Sequence, residues 1–578
     1  MEKKKLPFKH KLPDYAQSLA IMLMLGGLVS REGFNITGLT NIFVGIIEIS
    51  AVLILLTAKV CKWSVTHRHN FHWKKPIFDV FLLTSLITVL IKQAFIPHSY
   101  FNFWKIMHVY MAIQAIIHIA RFSLSAAAAT APTHILLGSF AGIIILGAFM
   151  LMLPRASTAG QQLSFTDAMF TATSATCVTG LVVVDTGSDF TTMGQSVILI
   201  LIQIGGLGIM IFGAMFSLLL GSRLTLRESI AVSDIINEQS PGRIGRIAVF
   251  IFLSTLIFEA IGAFSLFGMW DSNQTFKSIF HSISAFCNAG FALQADSLIQ
   301  YRSAWQVFSI ICPLIIIGGL GFPVLYNFWQ IIAQKFNKLK NPDKYYSKIR
   351  LSLHSKIVII TTIVLLMVGW IFMFTLEIIR PDGDGNENKS VATIALDSLF
   401  NSITARTAGF NTVDIEQLSP PAKLTLIFLM SIGGSPSSTA GGLKTVTLAV
   451  MVLAVYATMR HRSEVHAFKR AIPNTVVLRT ATLILLYAMI LFMAILALLI
   501  TEHNHCHDLL DLMFEAASAL GTVGLSTGIT SSLSIAGKWI IIITMFVGRL
   551  GPLSLLAALT FNVDPPTYQY PREPLVVG

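Results

Sequence analysis

Four times between residues 167 and 525 the chain sets a segment too short to cross a bilayer between two long apolar runs. The four segments share one pattern: Phe, then Ser or Thr followed by Ala, then Gly followed by a bulky apolar residue. The landmarks are Phe170, Ser174-Ala175 and Gly180-Leu181; Phe280, Ser284-Ala285 and Gly290-Phe291; Phe400, Thr404-Ala405 and Gly409-Phe410; and Phe514, Ser518-Ala519 and Gly524-Leu525. The third is one residue shorter between Ala405 and Gly409. A second quartet follows inside the next apolar run: Gly205-Gly206-Leu207-Gly208, Gly318-Gly319-Leu320-Gly321, Gly433-Gly434-Ser435-Pro436 and Gly548-Arg549-Leu550-Gly551. Two sets of landmarks in register define an internal repeat whose unit is span, short half-helix ending at Gly, span.

The apolar runs lie near 14–30, 40–61, 76–96, 105–124, 134–153, 195–220, 247–270, 308–333, 356–379, 423–458, 480–501 and 536–561. A span needs about 20 residues to cross about 30 Å of hydrocarbon. With 12% charged residues and a mean hydropathy of +0.71, a soluble protein is excluded; those are about a quarter charged. The expected fold is therefore an all-α polytopic membrane protein. Four span–pore-loop–span repeats surround one pore, preceded by about four extra N-terminal spans. The boundaries are 1–130 for the extra region, then 131–230, 231–345, 346–465 with an intramembrane loop, and 466–578 with the tail. The first run follows Lys3, Lys4 and Lys5 without a clear cleavage site and reads as a retained helix. The net charge of +12 does not point to nucleic acid, because the basic residues cluster between apolar runs. Arg223, Arg227, Arg243 and Arg246, then Lys335 to Arg350, then Arg460, Arg462, Lys469 and Arg470 occupy the linkers between units. The flanks of the half-helices carry few: Arg155, Arg302, Lys389, Lys423 and Lys538. Positive residues stay inside, so linkers and both termini are expected in the cytoplasm of a cell whose inner membrane holds the chain. The cysteines are scattered, with no disulfide framework.

A half-helix ending at Gly, four times over, implies turns converging on an axis. Gly tolerates φ > 0 and close backbone approach. Each half-helix points its negative end into the membrane, which favours a cation, and carbonyl rings can replace a hydration shell. Non-helical backbone is tolerated at that depth only where protein or a water-filled cavity covers it. The plainer account, that glycines only let helices pack, fits Gly180, Gly290, Gly409 and Gly524 poorly, and stays open for the second quartet.

The motifs Thr176-Cys-Val-Thr-Gly-Leu181, Phe286-Cys-Asn-Ala-Gly-Phe291, Arg406-Thr-Ala-Gly-Phe-Asn-Thr412 and Gly521-Thr-Val-Gly-Leu-Ser-Thr-Gly528 resemble those of the Trk/Ktr/HKT potassium transporter superfamily. Gly433-Gly-Ser-Pro-Ser-Ser-Thr-Ala-Gly-Gly-Leu-Lys444 and Gly548-Arg-Leu-Gly-Pro552 add to the likeness, which covers about residues 134–561. It implies a K⁺ filter lined by Cys177, Val178, Thr179 and Gly180; Cys287, Asn288, Ala289 and Gly290; Thr407, Ala408 and Gly409; and Thr522, Val523 and Gly524. Gly rather than Ser at the first position goes with K⁺ preference in the family, and Gly180 fits. The resemblance also implies a homodimer and a cytosolic ring of nucleotide-binding, RCK/KTN-type regulatory subunits. No covalent cofactor is expected: K⁺, with Na⁺ as the alternative, is the transported ion, and a nucleotide acts only through the partner. The extra region departs from shorter family members. Its last run carries only His108, His118 and Arg121 rather than an arginine ladder, so a structural or docking role is expected.

In the third unit Gly433, Gly434, Ser435, Pro436, Ser437, Ser438, Thr439, Ala440, Gly441 and Gly442 interrupt an apolar run, and Lys444 follows. A continuous helix is not expected there. Either the helix kinks or an intramembrane loop acts as a gate, and the resemblance supports the gate. Arg549 stands where the other units have Gly; a lone Arg at that depth costs at least about 2.5 kcal/mol unless it faces water or a partner. It pairs statically or holds the gate loop. Glu259 is a second deep charge that pairs helices or serves function. His503, His505, Cys506 and His507 read as loop residues rather than a transition-metal site. An enzyme is not expected, as no metal set or nucleophile dyad repeats at membrane depth. A secondary transporter of a larger substrate usually pairs inverted repeats, whereas these units run in one direction.

Overall fold

The computed structural model describes residues 12–34, 39–66, 132–158, 163–208, 244–271, 273–340, 350–379, 390–462, 464–503 and 507–551. The expected spans 76–96 and 105–124, linker 209–243, residues 341–349, His505, Cys506 and everything after Gly551 lie outside the described residues. What is described is almost wholly helical; the strands are one short hairpin, β1 Val465–Ala467 and β2 Arg470–Ile472.

Two helices, α1 Leu12–Gly33 and α2 Leu39–Thr66, pack against each other. Arg31 meets buried Glu48 at 2.9 Å across them. The pair is pinned to the rest of the chain where Arg155 donates through its backbone N–H to Gly33 and through Nη1 to the Arg31 carbonyl, at 3.2 Å each.

The first repeat comprises α3 Pro132–Leu151, the short α4 Phe165–Thr176 and α5 Thr192–Leu207. The second comprises α6 Ile244–Leu266, the short α7 Gln274–Cys287 and α8 Cys312–Leu320, continued by α9 Phe322–Lys340. The third comprises α10 Leu353–Ile379, the short α11 Val391–Thr404, α12 Pro420–Ser431 and α13 Thr445–Met459. The fourth comprises α14 Asn474–Thr501, the short α15 Leu509–Gly521 and α16 Ile535–Leu550. Side-chain caps explain several starts. Ser164 Oγ accepts from Asp167 N–H at 3.1 Å, Ser390 Oγ from Ala392 N–H at 3.2 Å and Ser534 Oγ from Gly537 N–H at 3.0 Å, satisfying donors a helix cannot satisfy itself. Among the described residues, Gly245–Leu266, Leu353–Ile379 and Asn474–Thr501 are long and apolar enough to cross a membrane. Their outward faces carry residues such as Phe264, Ile371 and Leu485, all exposed.

Packing runs in one direction around the molecule. Within each unit the first helix lies on its own short helix, and the helix after the turn touches the short helix of the next unit: α5 with α7, α8 with α11, α12 with α15, and α16 with α4. The last contact closes the circle.

One expectation is corrected. The run 308–333 is not a single span: a π-helical turn, Val307–Ile311, leads into α8, and the chain then bends by 99° at Gly321 before α9. α5 and α16 also stop at glycines, Gly208 (φ +80°) and Gly551 (φ +83°), matching Gly321 (φ +87°). The break expected only in the third unit thus has a counterpart in the second, and the described helices of the first and fourth units end at the corresponding glycine. The physical reason in the first, second and fourth units is the last glycine of the motif, which takes the left-handed backbone that an ordinary residue resists. At Gly321 a Cβ would also overlap the Ser435 hydroxyl.

Candidate functional site

Each short helix ends in a turn of the same shape. The residue two before the glycine is left-handed although it carries a side chain: Val178 (φ +58°), Asn288 (+58°), Thr407 (+72°) and Thr522 (+51°). The glycines follow at φ +94° for Gly180, +70° for Gly290, +79° for Gly409 and +93° for Gly524. A left-handed β-branched residue is a true outlier, so the surroundings must impose it. Alternation of left-handed with ordinary residues turns successive carbonyls to one side of the chain.

The Ser/Thr of the repeat motif holds that turn. The backbone N–H of Thr179, Ala289 and Val523 reaches the carbonyl of Ser174, Ser284 and Ser518, each at 2.8 Å. In the shorter third turn Ala408 N–H reaches the Thr404 carbonyl at 2.9 Å, so the missing residue is absorbed at the end of the helix. The hydroxyls complete the clamp. Ser174 and Ser518 accept from Gly180 and Gly524 N–H at 3.1 Å, while Ser284 and Thr404 donate to the carbonyls of Phe291 and Phe410 at 2.8 and 2.7 Å.

The four turns meet. A Cβ on Gly180 would overlap the Ala289 carbonyl oxygen; on Gly290, that of Ala408; on Gly409, that of Val523; on Gly524, that of Thr179. Each glycine therefore makes room for the next unit's carbonyl, and the order returns to its start. The first glycine of the second quartet has a packing role. Gly205, Gly318 and Gly548 lie against the carbonyls of Thr176, Phe286 and Leu520, at the ends of the short helices of their own units.

The segment between α12 and α13 is a loop pinched at its base and tethered along its length. Gly433 N–H donates to the Leu443 carbonyl at 2.8 Å, and Thr445 N–H to the Gly434 carbonyl at 3.0 Å. Ser435 ties it to the second unit, with its N–H to the Gly319 carbonyl at 3.0 Å and its Oγ to the Leu320 carbonyl at 2.5 Å. Phe322 N–H donates to the Ser437 carbonyl at 3.1 Å. Thr439 Oγ1 donates to the Phe286 carbonyl at 3.3 Å, directly behind the second turn. Lys444 Nζ donates to the Ala440 carbonyl at 2.7 Å. Arg549 donates from Nη1 to the Thr439 carbonyl and from Nη2 to the Gly205 carbonyl. Gly441 abuts the Thr522 side chain.

Glu259 accepts from Gln203 Nε2 at 3.2 Å, and its backbone carbonyl accepts from Ser282 Oγ at 2.7 Å. It thereby pairs α5, α6 and α7, which fits the helix-pairing alternative. Sequence reasoning missed Arg406. It stands where the other turns have Cys177, Cys287 and Gly521, is 8% exposed, and donates to the carbonyls of Gly433 and Thr362 at 3.3 and 3.4 Å. A lone charge in an apolar window was the available signal.

Known proteins share this chain's sequence over most of its length. It is 38% identical to the Ktr system potassium uptake protein B of Vibrio alginolyticus over 77% of this chain and 94% of the relative. It is 37% identical to the protein of the same name from Bacillus subtilis, over 78% and 97%. To the potassium/sodium uptake protein NtpJ of Enterococcus hirae it is 33% identical, over 77% and 97%. The crystal structure of the potassium transporter TrkH from Vibrio parahaemolyticus superposes with a TM-score of 0.55 over 96% of this chain and 99% of the other, at 18% identity, a likeness of fold. Residues 103–567 match the family described as TrkH: Cation transport protein, and by that match and those identities the chain is a member of the TrkH cation transport family, a multi-pass membrane protein.

Proposed function

We propose that this chain takes up K⁺ across the cytoplasmic membrane as the pore subunit of a Ktr/Trk-type system. Its filter is formed by the backbone carbonyls of the four turns, ending at Gly180, Gly290, Gly409 and Gly524. The observation that carries the reading is the closed order of carbonyl against glycine, Thr179–Gly524, Val523–Gly409, Ala408–Gly290 and Ala289–Gly180. Four turns that meet this way supply the stacked oxygens a dehydrating cation requires. The hydroxyls of Thr179, Thr407 and Thr522 are buried without a hydrogen-bond partner among the described residues, and polar oxygens left so are costly unless a passing cation or water uses them. The loop from Gly433 to Gly442, with Lys444 and Arg549, is the gate.

The names of the relatives support K⁺ as the ion, and one of them is named for sodium as well. A Na⁺-permeable carrier of the same fold is the second reading. The basic linkers face the cytoplasm together with both termini. They dock a nucleotide-binding ring, and the chain works as a homodimer; these follow from charge placement and family likeness. The test is expression in cells that lack K⁺ uptake. Growth restored in low K⁺, with K⁺ uptake measured against Na⁺ uptake, is the expected result, and failure to restore it with the protein present in the membrane defeats the reading.

A further inference from the structure

Arg406 is a buried guanidinium with no carboxylate beside it. Among the described residues it makes no ion pair, and its bonds run to two backbone carbonyls in different parts of the third unit. One is Thr362 O, on the membrane-spanning α10. The other is Gly433 O, the first residue of the loop. Arg406 itself sits inside the turn, with its N–H on the Ile403 carbonyl at 3.2 Å and left-handed Thr407 next in sequence. One side chain therefore joins the strained turn, the scaffold helix and the hinge of the loop.

We propose that Arg406 is a positioning residue that couples the loop to the filter, so that movement of the loop base at Gly433 is felt at Thr407 to Gly409. This rests on reading the four turns as a filter and the loop as a gate. In no other unit can the same position do this. Cys177 and Cys287 carry no long donor, and Gly521 carries no side chain. Arg549 differs in kind: it donates to the loop at Thr439 and to Gly205, and to no residue of the glycine turns.

The surroundings leave the junction able to adjust. Arg406, Thr362, Gly319 and Gly434 line a cavity of about 20 Å³ between the second and third units. Arg406 Nε and Thr362 Oγ1 are buried there without a partner among the described residues. A void of about 10–15 Å³ holds one water. A water bridging Nε–H to the hydroxyl would satisfy the one guanidinium nitrogen that has no partner among the described residues.

The test compares wild type, Arg406→Met, Arg406→Lys and Arg549→Ala as full-length protein in liposomes, measuring K⁺ flux and the Na⁺/K⁺ permeability ratio. Loss of a loop contact alone raises flux at constant ratio, which is the expected behaviour of Arg549→Ala. Arg406→Met is expected to raise flux and to raise the ratio several-fold, because the turn loses its brace with the loop. Arg406→Lys keeps the charge on a single donor nitrogen, without the fork that reaches both carbonyls, and falls between. A wild-type ratio in Arg406→Met overturns the coupling, whether or not flux rises. If Arg406→Met does not accumulate, Arg406→Lys decides, and an unchanged ratio there overturns it equally. Gly180→Ser, in the same liposomes, separates the two levels. A shift there with none at Arg406 leaves the filter reading standing and removes the coupling; no shift at either removes both.

Discussion

Arg549, on the last described helix, donates to the backbone carbonyl of Thr439 at the tip of the loop that interrupts the third unit. The Thr439 hydroxyl bonds at the same time to the Phe286 carbonyl behind the second glycine turn. One residue thus receives a fixed positive charge from the fourth unit and reaches the second. A hydrogen bond to a charged group contributes about 1.5–3 kcal/mol, and about 1.4 kcal/mol is tenfold in rate. Arg549→Ala, or a shortened loop, should therefore raise K⁺ flux by roughly 10-fold and by no more than about 150-fold, with filter selectivity kept. Flux at or below wild type in both variants, each folded and in the membrane, would show that the loop is a structural kink.

Gly180 has no room for a side chain, since its φ of +94° is left-handed and a Cβ would press on the Ala289 carbonyl oxygen. Gly180→Ser must displace that carbonyl or the turn that bears it. Because a K⁺ filter depends on the position and field of such oxygens, the ratio of Na⁺ to K⁺ permeability should rise while the protein still reaches the membrane. A ratio equal to wild type would mean that Gly180 lies off the ion path.

The repeat was readable because its landmarks are local. Phe, Ser/Thr-Ala and Gly recur at nearly fixed spacing, and the structure gives the middle pair a reason: Ser174, Ser284, Thr404 and Ser518 clamp their own turns. The helix ends at Gly208, Gly321 and Gly551 are harder to read, because a glycine inside an apolar run has the same composition whether the helix continues or stops. Only the third unit advertises its break, by placing Ser, Thr and Pro there. The cyclic order of the turns was not readable at all, since each contact joins residues more than a hundred positions apart, such as Gly180 with Ala289. Beyond its charge, Arg406 gives no separate signal in the sequence, because it lies inside a motif that Gly409 already accounts for.

The linkers between units carry clustered positive charge. The described part of the third linker holds Arg460, Arg462, Lys469 and Arg470, all exposed, around the β1–β2 hairpin. A hairpin that buries Val465, Ala467 and Ile472 against neighbouring helices is a rigid support for those charges. Reversing Lys469 and Arg470 to Glu should weaken capture of a nucleotide-binding regulatory subunit and make flux insensitive to nucleotide, leaving the Na⁺/K⁺ ratio unchanged. Undiminished capture from native membranes would exclude the hairpin as the docking face.

Two ion pairs define which units are neighbours around the ring. Lys538, on the helix that follows the fourth turn, meets Asp167 in the first turn of the first unit's short helix at 2.8 Å. Lys423, in the corresponding place of the third unit, meets Asp511 of the fourth unit's short helix at 3.1 Å. The side chains of Lys538 and Asp167 are 14% and 22% exposed, those of Lys423 and Asp511 11% and 21%, so solvent screens them only in part. Exposed pairs contribute about 0–1 kcal/mol and the breaking of a buried pair costs about 3–5 kcal/mol, so Lys538→Met should lower stability by roughly 1–3 kcal/mol. The loss should be read as a fall in the detergent melting temperature. The Asp167→Asn, Lys538→Met double variant should lose less than the sum of its singles, because the two groups are in contact. Strict additivity in that cycle would mean that the pair contributes no coupling, and that the first and fourth units are held together by their other contacts, among them the packing of α16 on α4 and the bond from Arg549 to the Gly205 carbonyl.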